Sequence, residues 1–318
     1  MKTSSQFHKM RFLLDQVKPL CNVFSINYLL SLIVLFAIPI NCVANQGPTA
    51  AEYGVVLNLA GKQRMLSQKM SKEVLLIARQ ANVEKNLQNL EATAQLFDDT
   101  LAGLLNGDKE LRLPPTVNFQ IKMQLGKVQL LWARFYPPIK EIIDNKTVED
   151  LQAWTIAEKN LHLLKEMDAC VKMYEIDAVK AGLKSNPDLA VALNLSGKQR
   201  MLSQKMSKEY LLIAYGHKAK DNQENLKQTY TLFERTLVGL INGDEGLQLK
   251  KTTNKVIVNQ LSAVKGLWEL FKPIVVAGAV DGTSSITDAK ITELAEANLI
   301  LLKEMNKAVG MYEKEAMK

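Results

Sequence analysis

Apolar residues recur along the chain at spacings of three, four and seven, and the strict alternation of a surface strand is almost absent. Leu59, Leu66, Met70, Val74 and Ile77 draw one apolar stripe and predict a first helix over about Ala50 to Gln80. Leu90, Phe97, Leu101 and Leu104 predict a second, about Glu84 to Asn106, which Gly107 stops with a left-handed cap. After a loop at Leu111 to Pro115, a third helix begins near Thr116 and carries Ile121, Leu125, Val128 and Trp132. Pro137-Pro138 is expected to end or kink it. Leu161, Leu164, Met167, Val171 and Tyr174 mark a fourth, about Val148 to Gly182. Helices of the same kind start again near Pro187, Asn222, Thr252 and Thr287. The predicted fold class is all-α, two tandem up-down-up-down four-helix bundles after an N-terminal signal segment.

The second set of helices is a copy of the first. Gly61 to Glu73 (GKQRMLSQKMSKE) recurs without a change at Gly197 to Glu209, an offset of 136. Leu96 to Asp108 answers Leu232 to Asp244, and Trp132 answers Trp268, at the same offset. Asn160 to Glu175 answers Asn298 to Glu313 at 138, so two extra residues lie between Pro273 and Asn298. The two units are drawn at 49–184 and 185–318, meeting at Ser185-Asn186-Pro187, where proline suits a first helical position. An even number of helices returns the chain to the end where it began. A short linker then sets the bundles side by side about a pseudo-twofold axis. A continuous fourth-to-first helix, giving an end-to-end dumbbell, is the competing geometry.

Residues 1–44 differ in character. Lys9, Arg11 and Lys18 precede the apolar run Tyr28 to Ile40, and Cys42-Val43-Ala44 offers the small residues of a cleavage site. The reading is a signal peptide, with an uncleaved inner-membrane anchor as the alternative; either places the bundles in the periplasm. Without this segment 36 basic and 32 acidic side chains remain. That mild excess, spread along helices, leaves no footprint for nucleic acid. Cys170 then stands alone and has Ala308 as its counterpart, which suggests a small buried residue. His162 answers Ile300 and His217 answers Ala81, so neither histidine belongs to the repeated plan. No metal-ligand spacing and no haem-attachment motif occurs, so no enzyme activity, metal or cofactor is expected. Met65, Met70, Met201 and Met206 are read as core filler.

Within the repeated segment, Gly61, Arg64, Gln68 and Ser71 share a helix face apart from the apolar stripe. Their second copies are Gly197, Arg200, Gln204 and Ser207. Glycine in a helix interior costs about 1 kcal/mol against alanine, which points to close approach of another helix. Arginine offers a planar fork of donors suited to small oxyanions. Two arginines that face each other repel unless an anion lies between them, so these eight residues are the candidate ligand-binding set. The competing reading is that Arg64 snorkels over a groove and the segment serves helix packing.

Asn58 to Gln68 (NLAGKQRMLSQ) resembles the opening of the N-terminal sensor domain of type IV pilus methyl-accepting chemotaxis transducers, the PilJ-type domain. It is also similar to the periplasmic P-box of NarX/NarQ-type nitrate and nitrite sensors. The resemblance extends over both units, through the NGD helix end and the LLKEM…MYE block. It implies a periplasmic, non-catalytic sensor module. It further implies that Arg64 and Arg200, each followed by methionine, contact a small anion at the axis between two bundles. Lys-Gln precedes each arginine here, and Gln68-Lys69 stands where the nitrate sensors have Tyr-Arg, so the implied ligand is a small anion rather than nitrate in particular. Such sensors continue into a membrane span and signalling module, whereas this sequence stops at Lys318. The expected partners are therefore a small anionic ligand and a separate membrane receptor or signalling protein. A ligand-free structural protein that docks on a receptor or a pilus-associated assembly is the alternative.

Overall fold

The computed structural model describes residues 47–181 and 187–317. Eight α-helices occupy nearly all of them: α1 (Ala50–Ala78), α2 (Val83–Asn106), α3 (Phe119–Asn145), α4 (Asp150–Lys180), α5 (Pro187–Ala214), α6 (Ala219–Asn242), α7 (Lys255–Asp281) and α8 (Asp288–Ala316). Among the described residues the only extended pairings are single bridges, Asp108 with Leu113 and Asp244 with Leu249. The protein is thus all-α, built as a tandem repeat of four helices. The predicted signal segment lies outside the described residues, as do Ser185 and Asn186. No helix among the described residues is long and apolar enough to cross a membrane.

Local chemistry sets the helix ends. Thr49 and Glu52 form a reciprocal capping box at the start of α1. The Asn118 side chain accepts from the first backbone N–H groups of α3, and Thr287 accepts from Lys290 N at the start of α8. Gly107 and Gly243, at φ 83° and 90°, turn the chain after α2 and α6. The two extra residues of the second unit fall between α7 and α8. There residues 282–287, opening with a 3-10 turn at Gly282–Ser285, replace the shorter connection 146–149.

Three expectations need correction. First, α3 does not end at Pro137-Pro138 but runs on to Asn145. Ile139 and Ile142 beyond the prolines are fully buried, and their packing outweighs the two lost backbone donors. Second, Leu161 is 47% exposed and Leu164 only partly buried. The inward face of α4 instead follows Asn160, Leu163, Met167, Cys170 and Tyr174, one position round the helix. Third, the buried face of α1 is wider than the predicted stripe, of which Leu66, Met70, Val74 and Ile77 are buried. Leu59 is only partly buried, while Val55, Val56, Leu57, Met65, Leu75 and Leu76 join the core.

The reason for the third is position. α1 packs on α2 and α4 of its own bundle, and on α5 and α8 of the other. α5 does the same in reverse, touching α6 and α8 and also α4. The α1–α5 contact is the most extensive between any two helices. The bundles therefore lie side by side rather than end to end, and the described residues make up one compact unit.

The copies have drifted in ways that preserve volume. Val74 and Ile142, both fully buried in the first bundle, correspond to Tyr210 and Gly278 in the second. A Cβ on Gly278 would stand 2.5 Å from Tyr210 Cδ2, so the tyrosine ring fills the space the glycine leaves. Gly278→Ile alone is expected to cost about 2–3 kcal/mol by overpacking. Tyr210→Val alone should cost about 2–4 kcal/mol by opening a cavity. Together they should restore the first bundle's packing and cost well under the sum, which a double-mutant cycle by urea unfolding measures.

Candidate functional site between the bundles

The repeated segment forms the centre of the α1–α5 contact. A Cβ on Gly61 would lie 3.5 Å from Arg64 Nη2 and 3.7 Å from Arg200 Nη2. For Gly197 the corresponding distances are 3.5 Å to Arg200 Nη2 and 3.8 Å to Arg64 Nη2. The two guanidinium groups therefore converge over the glycines, which give them room. Arg64 is 1% and Arg200 2% exposed, so neither snorkels to water.

Each arginine reaches across to the first helix of the other bundle. Arg64 Nη2 donates to Asn194 O and Oδ1, at 3.2 and 2.8 Å. Arg200 Nη2 donates to Asn58 O at 3.0 Å. The Nη1 groups turn the other way, and there the symmetry breaks. Arg64 Nη1 donates to the carboxylate of Asp168 at 2.7 Å, whereas Arg200 Nη1 meets only the amide oxygen of Asn306, at 3.3 Å. Asp168 and Asn306 hold equivalent positions in the two copies. Both Nε donors are buried without a partner.

Electrostatics follow from this geometry. Burial pushes the Arg200 pKa down, and the neighbouring Arg64 charge adds to that push. Burial lowers Arg64 too, against the opposing pull of Asp168. Asp168, although its own burial works upward, is held below the usual carboxylate range by the Arg64 charge and hydrogen bond and by Lys172. Farther out, Glu175 accepts from Asn194 Nδ2 at 2.6 Å and Glu313 accepts from Asn58 Nδ2. Burial raises Glu175, so it is a weaker counter-charge than a free carboxylate.

A second polar layer lies farther along the same helices. Lys72 Nζ donates to Asn298 Oδ1 at 3.0 Å, and Lys208 Nζ donates to Asn160 Oδ1 at 3.3 Å, each crossing between bundles. Asn160 and Asn298 in turn donate to Ser67 O and Ser203 O, on the first helix of their own bundle. Lys69 pairs with Glu73 and donates to Thr93, as Lys205 does with Glu209 and Thr229. Gln63 and Gln199 donate to the carbonyls of Phe97 and Phe233. Desolvation pushes Lys72 down to about 7 and Lys208 down to about 8.

The sequence-predicted set divides. Gly61, Gly197, Arg64 and Arg200 are brought together on the axis between the bundles. Gln68, Gln204, Ser71 and Ser207 are also buried, farther along the helices: Gln68 and Gln204 donate to Ser67 and Ser203 Oγ and keep an unpartnered Oε1, Ser71 and Ser207 donate to Ser67 and Ser203 O, and Ser71 Oγ accepts from Asn160 of α4. Residues missed from sequence are Asp168 with Asn306, Asn58 with Asn194, and the lysine–asparagine ties of the second layer. The available signal was copy-to-copy comparison: Asp168 against Asn306 is one of the changes of charge, with Ala169 against Lys307 and Lys172 against Gly310, inside a block whose flanks match. No group of His, Cys, Asp or Glu suited to a metal ion occurs among the described residues. Cys170 is fully buried, with its thiol pushed up to about 12 by desolvation.

The sequence matches the family described as PilJ, type IV pili methyl-accepting chemotaxis transducer N-terminal domain, over residues 50–155 and again over 183–293. No curated protein matches the chain.

The buried lysines make stability depend on pH. Unfolded lysine titrates near 10.4, so from about pH 7 for Lys72 and about pH 8 for Lys208, up to about pH 10, the unfolded chain holds protons that the folded side chains progressively lose. Stability should rise with pH across that window. Urea unfolding at pH 7 and pH 9.5 should show the rise, and Lys72→Met with Lys208→Met should flatten it.

Proposed function

The chain belongs to the PilJ family of chemotaxis-transducer N-terminal domains, and we propose that this sensor or signalling module works in the periplasm by holding a small anion between Arg64 and Arg200 and reporting it to a membrane partner. The observation that carries the reading is a charge imbalance. Two fully buried guanidinium groups converge on the axis, yet only one, Arg64, has a carboxylate in direct contact. A nitrate- or nitrite-like oxyanion would supply the missing charge. It would also give the unpartnered Nε donors acceptors in a plane that suits them. The glycines at 61 and 197 leave side-chain-free backbone beside that point.

Reporting follows from linkage. An anion that needs both arginines stabilises the arrangement in which α1 and α5 are closest, and shifts the population toward it. The signal is then a change in how the two bundles sit together, offered to a membrane receptor or signalling protein. Catalysis and cofactors have no part in this reading. A second reading, a ligand-free module that docks on a receptor or pilus-associated assembly, draws on the Arg64–Asp168 ion pair and the asparagine contacts, which already engage both Nη nitrogens of each arginine.

Calorimetry of residues 45–318 against nitrate, nitrite and other small oxyanions separates the two. Binding should be lost in Asn306→Asp, which installs the second carboxylate, and tightened several-fold in Asp168→Asn. Absence of heat with every anion at millimolar concentration would leave the ligand-free module standing.

A further inference from the structure

Two clefts related by the repeat lie where the fourth helix of one bundle crosses the first and second helices of the other. One is lined by Lys72, Glu73, Leu76 and Leu299 and measures about 40 Å³. Its twin, lined by Lys208, Glu209, Leu212 and Leu161, measures about 250 Å³. The twins differ at their rims. His217, Lys218 and Asp221 border the larger cleft, where the smaller has Ala81, Asn82 and Lys85 at the equivalent positions.

That rim is a built wall. The His217 ring stacks on Trp154 with centroids 4.9 Å apart, and its Nε2 lies 2.9 Å from Glu158 Oε1. Lys218 Nζ donates to the same oxygen at 2.6 Å. The floor carries two groups with unused capacity. Glu209 is 2% exposed; its Oε1 accepts from Lys205, and its Oε2 has no partner. Lys208, equally buried, makes its one hydrogen bond to the amide of Asn160, at 3.3 Å, although an ammonium has three donors. Leu161, which periodicity assigns to the core, stands at the cleft's edge instead and gives it an apolar side.

We propose that this larger cleft binds a small zwitterion of the α-amino-acid class. The ligand carboxylate meets Lys208, its ammonium meets Glu209 Oε2 with Asp221 behind, and its side chain lies on Leu161. A simple anion would face Glu209, Glu158 and Asp221; a simple cation would face Lys208, Lys205 and Lys218. Only a ligand carrying both charges satisfies both floor groups. A cleft of 250 Å³ also has room for several water-sized groups, each about 30 Å³. The site is separate from the arginine centre, since Lys208 lies eight residues, or roughly 12 Å, along α5 from Arg200.

The test is a thermal-shift and calorimetric screen of residues 45–318 against the twenty amino acids, with N-acetyl and C-amide forms of any that bind. At least one free amino acid should bind, and both blocked forms should bind at least tenfold more weakly. Leu161→Trp, a change at an exposed position that should leave the fold intact, and Glu209→Gln should each weaken binding tenfold or more. Leu299→Trp in the twin cleft and Asn306→Asp at the arginine centre should leave it unchanged. The proposal is overturned if no amino acid binds at 5 mM, if a blocked form binds as tightly as the free one, or if Leu161→Trp has no effect. Loss of binding in Asn306→Asp would place the ligand at the arginines and overturn it as well.

Discussion

Desolvation of charge on α1 and α5 governs this structure. The arginine and the innermost lysine of each first helix are too deeply buried to reach water, and an unpaired buried cation is costly. These four groups find partners inside, and the partner comes repeatedly from the other bundle: Arg64 with Asn194, Arg200 with Asn58, Lys72 with Asn298, Lys208 with Asn160. Neither bundle alone satisfies its own first helix. The interface is accordingly part of the folding problem of each copy, and this accounts for the unchanged run from Gly61 to Glu73. A substitution at Arg64 or Lys72 would disturb contacts in both halves at once.

Periodicity made the helices legible, because most of them bury one face and solvate the other. α2, α6 and the loops around Gly107 and Gly243 stand where the pattern of Leu, Phe and Gly puts them. The same logic reached only part of the buried surface of α1. Arginine, lysine, glutamine and serine on a helix ordinarily signal a wet surface, and nothing within one copy says that a second copy covers it. Leu161 failed in the opposite sense, since an apolar residue one step off the buried face of α4 looks like core from spacing alone. Pro137-Pro138 did not end α3 because isoleucines beyond them had somewhere to pack. Of the candidate site, the glycines and arginines were legible as a face, but Gln68 and Ser71 were not separable from them without knowing where α4 crosses.

The two polar layers divide the work differently. Around the arginines the contacts are close and nearly filled, with one carboxylate short. Around the lysines the ties are single and the cleft beside Lys208 is open, walled by a histidine–tryptophan stack that the twin cleft lacks. The two levels lie along one helix pair but draw on different side chains, so each can be changed without touching the contacts of the other.

The exchange of Asp168 for Asn306 shows what a tandem copy permits. In a dimer of identical chains, any residue written into the gene appears on both sides of the axis, so a centre of two arginines receives either two carboxylates or none. Joining the copies in one reading frame removes that restriction. Each side of the axis can then be edited alone, and the centre can hold an odd number of charges, a state closed to any symmetric pair.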